Sequence, residues 1–406
     1  MEKIPGKYKS LFMIVSFLLW FPHFVYVPVL SPYMVSIGGD YAFIGVILSS
    51  YGLMQFLCRL PIGVFSDLVN LRKPFIVFGM IISMISCSIY LLTENMFLIL
   101  GARTLAGMAA ASWVAFTVLY SSYFKGEKVH RSMGNISFIV VLAQFLGMSL
   151  SGLLVDKWGW KAPFWLAEIF SLLGMGLSLF VAESKPEKER RPVKIKELAE
   201  VIRDPLLLKV SLLSILAHSI IFSTMFGFTS QYALNIGFKA SELLYIVAAF
   251  MVPHAAATLF MGGYLVPKMG EWRSLLIAYA SAALFTLCFP YVTIKGLFIL
   301  LQVCSGFSLG LIFPLLLGMA IQNIEPEKRA TAMGAYQAIY AIGIFAGPFF
   351  SGIFNSNYGL KAGFWFVGFL GLVASILVMV FWKKEAKRLH TIKISHMVDI
   401  PENHNV

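Results

Sequence analysis

Long apolar stretches alternate with short polar ones along the whole chain, and this pattern predicts its elements. A helix needs roughly 20 apolar residues to cross the hydrocarbon core of a bilayer, whereas a strand of a membrane barrel needs about 10 residues of alternating polarity. The apolar stretches here are near the helical length and do not alternate. The pattern therefore predicts an all-α membrane protein. The twelve predicted transmembrane segments are 11–37, 41–66, 74–93, 96–123, 132–155, 162–182, 206–236, 242–266, 274–291, 297–322, 332–355 and 362–382.

Composition excludes a soluble fold. Charged residues make up 13% and hydrophobic residues 59% of the 406 positions, whereas a soluble domain carries about 25% charged residues. The uncharged run from Leu11 to Leu30 is long enough to span a bilayer, so we interpret it as the first transmembrane helix and not as a cleaved signal peptide. The four cysteines lie in apolar runs without metal-ligand spacing, and we expect no metal and no cofactor.

Lysine and arginine are distributed unevenly over the loops. Of the 32 basic residues, 25 fall at the two termini, in the long central loop and in or next to the loops on the same side, and two, Arg59 and Arg103, fall well inside apolar segments. Because basic loops stay in the cytoplasm, this asymmetry predicts a plasma-membrane protein with both termini cytoplasmic. The net charge of +12 then faces anionic lipid, and we expect no nucleic-acid partner. The five basic residues on the other side are Lys157, Lys161, Lys239, Lys295 and Lys361.

The second half of the chain repeats the first. Residues 127–165 and 327–365 share 14 of 39 ungapped positions, where about three are expected by chance. Upstream the offset is 199, so that Gly107 corresponds to Gly306. Two parallel repeats of six helices predict a substrate site between them near the middle of the bilayer. The predicted divisions are an N-terminal bundle (1–183), a cytoplasmic linker with a short interfacial helix (184–205), a C-terminal bundle (206–382) and a cytoplasmic tail (383–406).

A short loop motif strengthens this organisation. The loop after the second predicted helix runs from Gly63 through Asp67 to Arg72 and Lys73. It resembles the signature loop of the major facilitator superfamily, with two positions of that pattern replaced. The resemblance extends over nearly the whole chain and implies the fold of a twelve-helix transporter of that family. It also implies that Asp67 faces the N-terminus of the eleventh helix, where the helix dipole favours a negative charge, so that this loop acts as a gate.

Glycine motifs occur at corresponding places in the two halves. The fourth segment has Arg103 and Gly107 in the spacing Arg-x-x-x-Gly, which is similar to a family motif, and Gln302 replaces the arginine in the second half. The fifth segment lacks the proline that drug–proton antiporters of the family usually carry, which argues against a polyspecific cation exporter. We expect six residues to mediate close helix packing: Gly107, Gly147, Gly152, Gly347, Pro348 and Gly352.

Polar side chains at membrane depth are costly, and they are therefore candidates for function. The resemblance implies that helices one, four, seven and ten line a central cavity. Glu168 either carries protons or forms an ion pair with Lys161 at the rim. Residues predicted to form the substrate and coupling cavity are His23, Arg59, Arg103, Glu168, His218, His254 and Gln302.

These observations predict a secondary active transporter and not an enzyme, since the chain has no catalytic or nucleotide-binding motif. We expect a monomer that exports a small organic solute by alternating access and uses protons as the coupling ion. Uptake of an organic anion by symport is the alternative. A polytopic membrane sensor or enzyme is a more remote one.

Overall fold

The computed structural model describes residues 5–69, 71–124, 128–183, 200–325 and 328–398, and all regular structure in them is helical. Six helices or broken helices precede the gap at 184–199 and six follow it. In the first half they are α1 (Gly6–Ser36), α2 (Tyr41–Leu68), α3 (Lys73–Leu92), α4 (Met96–Ser122), α5 (Lys128–Trp158) and α6 (Ala162–Ser178). In the second half they are α7 (Pro205–Asn235), α8 (Ala240–Met269), α9 (Glu271–Tyr291), α10 (Lys295–Met319), α11 (Arg329–Tyr358) and α12 (Lys361–Val398).

Eleven of these described elements contain at least 18 residues and are apolar enough to cross a membrane, and α6 has 17 residues. A spanning helix needs about 17–25 residues, so α6 completes the set. The predicted all-α fold with twelve transmembrane helices is confirmed. Most of the predicted linker, including the start of its interfacial helix, lies outside the described residues. In its described part, residues 200–202 are helical and α7 begins at Pro205.

Several spans are interrupted. The first breaks at Tyr26, between Gly6–Val25 and Val27–Ser36, because Pro28 has no N–H to continue the hydrogen-bond ladder. The seventh contains a π-helical turn at Thr224–Phe228. Such irregular turns place backbone and side chains where a regular helix does not, and they often occur at functional sites.

Positive-φ glycines mark the repeat in the backbone. The turn after α1 uses Gly38 (φ 88°) and the turn after α7 uses Gly237 (φ 93°). The turns after α5 and α11 use Gly159 (φ 83°) and Gly359 (φ 82°). Only glycine adopts such angles readily, so each repeated glycine ends its span in the same way.

Aromatic packing follows the same duplication. Phe164 contacts Tyr33 with ring centroids 5.2 Å apart, and Phe364 contacts Tyr232 at 5.4 Å. Each pair joins the end of a first span to the start of a sixth span in its half. The two halves are therefore parallel copies of one arrangement.

We call the face at which α1 begins the terminal face, and the face with the α1–α2 turn the opposite face. The halves contact each other through α2 with α11 and α5 with α8. At the opposite face a Cβ on Gly352 would lie 2.6 Å from the Tyr41 carbonyl oxygen, and a Cβ on Gly152 would collide with the Ala240 carbonyl oxygen. Tyr41 and Ala240 correspond in the repeat, so two equivalent glycine contacts close this face.

The other predicted packing residues also lie at close approaches. Gly147 lies against α1 and Gly347 against the Ser219 backbone of α7, each within its own half. The carbonyl oxygen of Pro348 lies 2.7 Å from where a Cβ of Gly45 would stand, which adds to the contact between α2 and α11.

Candidate functional site

A cavity of about 320 Å³ lies between the two halves. At 1.5 Å per residue, Arg59 lies about 27 Å along α2 from Tyr41, so the cavity extends from the middle of the bilayer toward the terminal face. The N-terminal half contributes Trp20, Phe24, Tyr51, Gln55, Arg59, Trp113, Val140 and Gln144. The C-terminal half contributes His218, Ile221, Phe222, Phe226, His254, Phe313, Gln337, Tyr340 and Ile344.

Arg59 connects the two halves beside this cavity. Its Nη2 donates to Gln55 Oε1 at 2.7 Å, one turn earlier on α2. Its Nη1 lies 3.3 Å from the Gln337 carbonyl oxygen and 3.4 Å from Tyr340 Oη, both on α11. The side chain is 4% exposed. All three acceptors are neutral, so these contacts orient the guanidinium without neutralising its charge.

His218 lies on the C-terminal wall with a defined ring orientation. Its Nδ1 is 2.8 Å from the Ser214 carbonyl oxygen, and since a carbonyl only accepts, Nδ1–H is the donor. The ring stacks on Tyr340 with centroids 3.9 Å apart and planes 4° apart. This leaves Nε2 as the basic nitrogen of the neutral ring.

His254 lies on the same wall between aromatic rings. Its ring centroid is 5.5 Å from that of Phe250 and 5.8 Å from that of Phe313. Three of the seven predicted cavity residues, Arg59, His218 and His254, thus line one cavity.

His23 and Arg103 lie behind the cavity wall. The guanidinium carbon of Arg103 is 4.2 Å from the ring centre of Tyr51, which itself lines the cavity. The Nε and Nη1 atoms of Arg103 have no hydrogen-bond partner among the described residues. His23 Nδ1 is 2.6 Å from the Leu19 carbonyl oxygen and Nε2 is 3.1 Å from that of Ala106. A neutral imidazole donates to only one of these carbonyls, whereas the protonated ring donates to both.

Glu168 and Gln302 are placed away from the cavity lining. Glu168 Oε1 accepts a hydrogen bond from Ser88 Oγ at 3.0 Å, between α6 and α3. The expected alternative of an ion pair between Glu168 and Lys161 is wrong, because Lys161 pairs with Glu94 at 3.3 Å. Gln302 is buried on α10, with Nε2 unpartnered.

The predicted gating loop is organised by a residue that sequence reasoning missed. The Glu183 carboxylate accepts from the backbone N–H groups of Arg72 and Lys73 (3.1 Å for Lys73) at the start of α3, where the helix dipole favours an anion. A Cβ on Gly63 would have only Val114, of its own half, within 4 Å. The Asp67 side chain lies outside the described part of the structure, so its gating role stays a prediction.

Sequence reasoning also missed much of the cavity wall. Gln55 lies one turn before Arg59. Residues with this spacing share one helix face, so the sequence could have indicated that Gln55 is a partner of Arg59. Tyr51, Trp113 and Tyr340 carry no local signal, because only the rotation and crossing of their helices turn them inward.

At the opposite face a hydrogen bond joins the halves. Ser356 Oγ on α11 donates to Asp40 Oδ1 at 2.7 Å, in the turn before α2. The hydroxyl stabilises the carboxylate and holds the pKa of Asp40 below its usual range. This bond and the two glycine contacts close the opposite face while the cavity lies on the terminal side of them.

The chain is similar to known membrane transporters over most of its length. It is 25% identical over 401 residues to the inner membrane transport protein YajR of Escherichia coli, covering 94% of this chain and 84% of that protein. It is 23% identical over 381 residues to a probable sugar efflux transporter of Pasteurella multocida, covering 92% and 91%.

The fold is also that of a solved transporter. The crystal structure of the nucleoside transporter NupG superposes with a TM-score of 0.76 at 15% identity, covering 93% of this chain and 99% of that one. The family model described as Major Facilitator Superfamily matches residues 12–295 and 237–397. With twelve spans in two parallel halves around one central cavity, this chain belongs to the Major Facilitator Superfamily.

Proposed function

We propose that this protein is a secondary active transporter that exports a small organic solute across the plasma membrane by alternating access, with protons as the coupling ion. The observation that carries the proposal is the cavity of about 320 Å³ between the halves, walled by both of them and closed at the opposite face. Rocking of one half against the other would expose the same cavity to each side of the membrane in turn. Transport of this kind needs no catalytic group.

Export is the direction favoured by relatives, since one of them is named a sugar efflux transporter. Proton coupling is supported by the histidines, because His218 and His254 line the cavity and His23 lies behind it. A histidine changes charge between about pH 5 and 8, the range in which a cell maintains its proton gradient. Glu168, at the interface between α3 and α6, remains a fourth candidate for the group that carries the proton.

Uptake of an organic anion with protons is the second candidate, and a specific observation favours it. The described cavity lining contains Arg59 and two histidines but no carboxylate. A proton on either histidine would strengthen the binding of an anion. Protons and an anionic substrate would then bind together and move in the same direction.

Reconstitution into liposomes under an imposed pH gradient tests the proposal. The panel of labelled solutes should include sugars, nucleosides, aromatic acids and lipophilic cations. Exchange with protons predicts accumulation in vesicles whose lumen is acidic, and co-transport predicts accumulation when the bath is acidic. Protein-free liposomes and a protonophore are the controls.

The possible results of this assay test proton coupling and the transport function separately. Counterflow exchange without gradient-driven accumulation would contradict proton coupling but keep transport. Absence of counterflow for every solute of the panel would contradict the transport function itself. Replacing the group that carries the proton, for example by His218→Gln, should abolish accumulation and spare counterflow.

A further inference from the structure

The cavity wall is positively charged and has no acidic partner. Within the described chain, the lining carries Arg59, His218 and His254 and neither an aspartate nor a glutamate. Arg59 stays protonated at any working pH, and its hydrogen bonds go to neutral oxygens. Arg103 adds a second positive charge directly behind Tyr51. A buried cation within a membrane-spanning helix is stabilised when a bound anion supplies the missing charge.

Two donors at this wall have no acceptor. The indole Nε1 of Trp20 and the Nε of Arg59 are buried without a hydrogen-bond partner in the described part of the chain, in residues that are 7% and 4% exposed. Neither atom can accept a hydrogen bond. Buried donors of this kind are normally satisfied. Both atoms are buried, so a ligand reaches them only if the side chains rotate toward the cavity, and it must then present acceptor oxygens.

The rest of the wall is aromatic. Trp20 and Trp113 have ring centroids 5.4 Å apart, and Phe222, Phe313 and Tyr340 face them from the other half. Such rings contact a flat organic body well but offer little to an inorganic ion. A volume of about 320 Å³ equals the space of roughly ten water molecules, at the small end of ligand pockets.

We propose that the substrate is a small aromatic acid, whose carboxylate binds Arg59 and Trp20 and whose ring lies between the aromatic walls. The proposal rests on the transport function given above and holds for either direction of transport. Arg59 and the Trp20 indole would give the acid two kinds of donor, of which the guanidinium forms the stronger, charge-assisted bond.

Three ligands that share one ring system test this directly by titration calorimetry with the purified protein. They are 2-naphthoate, 2-naphthamide and 2-naphthylmethylammonium. The carboxylate should bind at least tenfold more tightly than the amide, and the ammonium more weakly still. Equal affinities, tighter binding of the ammonium, or no binding of the carboxylate at millimolar concentration would overturn the proposal.

Variants of Arg59 then test whether this residue binds the carboxylate. Arg59→Gln should reduce the affinity for 2-naphthoate roughly tenfold or more and leave the amide nearly unchanged, because a charge-assisted hydrogen bond is lost. Arg59→Lys should keep part of the affinity. The matched control is Arg273→Gln, since Arg273 lies over Trp382 outside the cavity, and it should change nothing. Unchanged binding in Arg59→Gln would contradict the assignment.

A second variant keeps the test decisive if Arg59→Gln does not fold. Trp20→Phe keeps an aromatic ring but removes the unpartnered N–H, and should weaken 2-naphthoate binding about three- to tenfold. Counterflow in liposomes separates this inference from the transport proposal. A protein that transports lipophilic cations and not acids would remain a transporter and would refute the aromatic acid.

Discussion

The centres of the two halves share one packing scheme and differ in chemistry. In the first half, Gly107 on α4 lies against the carbonyl oxygen of Tyr51 on α2, where a Cβ would collide. In the second half, Gly306 on α10 lies in the same way against Phe250 on α8. The repeat has therefore retained the constraint that brings the backbones together.

The side chains around these contacts have diverged. Arg103 in the first half corresponds to Gln302 in the second, Tyr51 to Phe250, and His23 to Phe222. The charge behind the cavity thus belongs to one half alone, although both halves keep the glycine. Close packing is needed by every copy of the bundle, whereas a binding site needs its charge only once.

The largest effects should come from two single variants, in each of which Arg103 or Gln302 is replaced by the residue at the equivalent position of the other half. Gln302→Arg places an unpaired cation beside Phe250 and should destabilise the protein by at least about 2.5 kcal/mol, the cost of a charge at membrane depth. Arg103→Gln should keep the thermal stability at or above that of the wild type but reduce transport about tenfold. Thermal unfolding and counterflow measure the two effects. Similar transport losses in both variants with no loss of stability would show that the halves are functionally equivalent.

The shared glycines should respond equally to substitution. Gly107→Ala and Gly306→Ala each force a methyl group against a carbonyl oxygen and should cost roughly 1–3 kcal/mol. Gly101→Ala and Gly296→Ala, in the same helices, are controls because nothing lies within 4 Å of the added Cβ. Thermal unfolding of the four purified variants checks this. A loss of stability in only one of Gly107→Ala and Gly306→Ala would show that the two halves do not share this packing constraint.

The equivalent contacts at the opposite face should act on conformation more than on stability. Gly352→Val and Gly152→Val should each prevent closure there. A cysteine introduced at Leu48, which is 3% exposed, should then react several-fold faster with an impermeant thiol reagent, with the four native cysteines replaced. Unchanged reactivity in both variants would mean that these glycines do not control closure.

The smallest effect should come from the bond between Ser356 and Asp40. Because closure lowers the pKa of Asp40, the contact contributes stability above the ordinary carboxyl pKa and loses it as the pH falls through the lowered value. Because thiol reagents attack the thiolate, whose fraction falls in acid, labelling at position 48 is compared between the wild type and Ser356→Ala at the same pH. The variant should react about twofold faster at neutral pH, and the two rates should converge below about pH 4, where Asp40 is protonated. The rate of Ser356→Ala should follow thiolate ionisation alone. A variant with the wild-type pH profile would exclude this bond as the cause.

The spans and the repeat were predictable because they depend on local apolar length and on identities at a fixed offset. Depth in the membrane also identified Arg59, His218 and His254 as candidates. The direction of a side chain depends on helix rotation, which the sequence does not display, and so Glu168 was included although it faces α3. Glu183 was missed because it is separated from Arg72 by 111 positions in the sequence. Tyr340 was missed because its role follows from a contact between halves.

The uncompensated charge of Arg59 also bears on how the membrane voltage acts. If an anion neutralises it, Arg59 adds no net charge to the step that carries the anion, whereas it moves as a cation in the step without the anion. Through Arg59, voltage then acts on the step without the anion, by up to about 2.3 kcal/mol per charge for 100 mV. With the terminal face in the cytoplasm, as the basic loops predict, a negative interior holds the empty cavity on the cytoplasmic side, and an electrode would register the turnover as current during resetting.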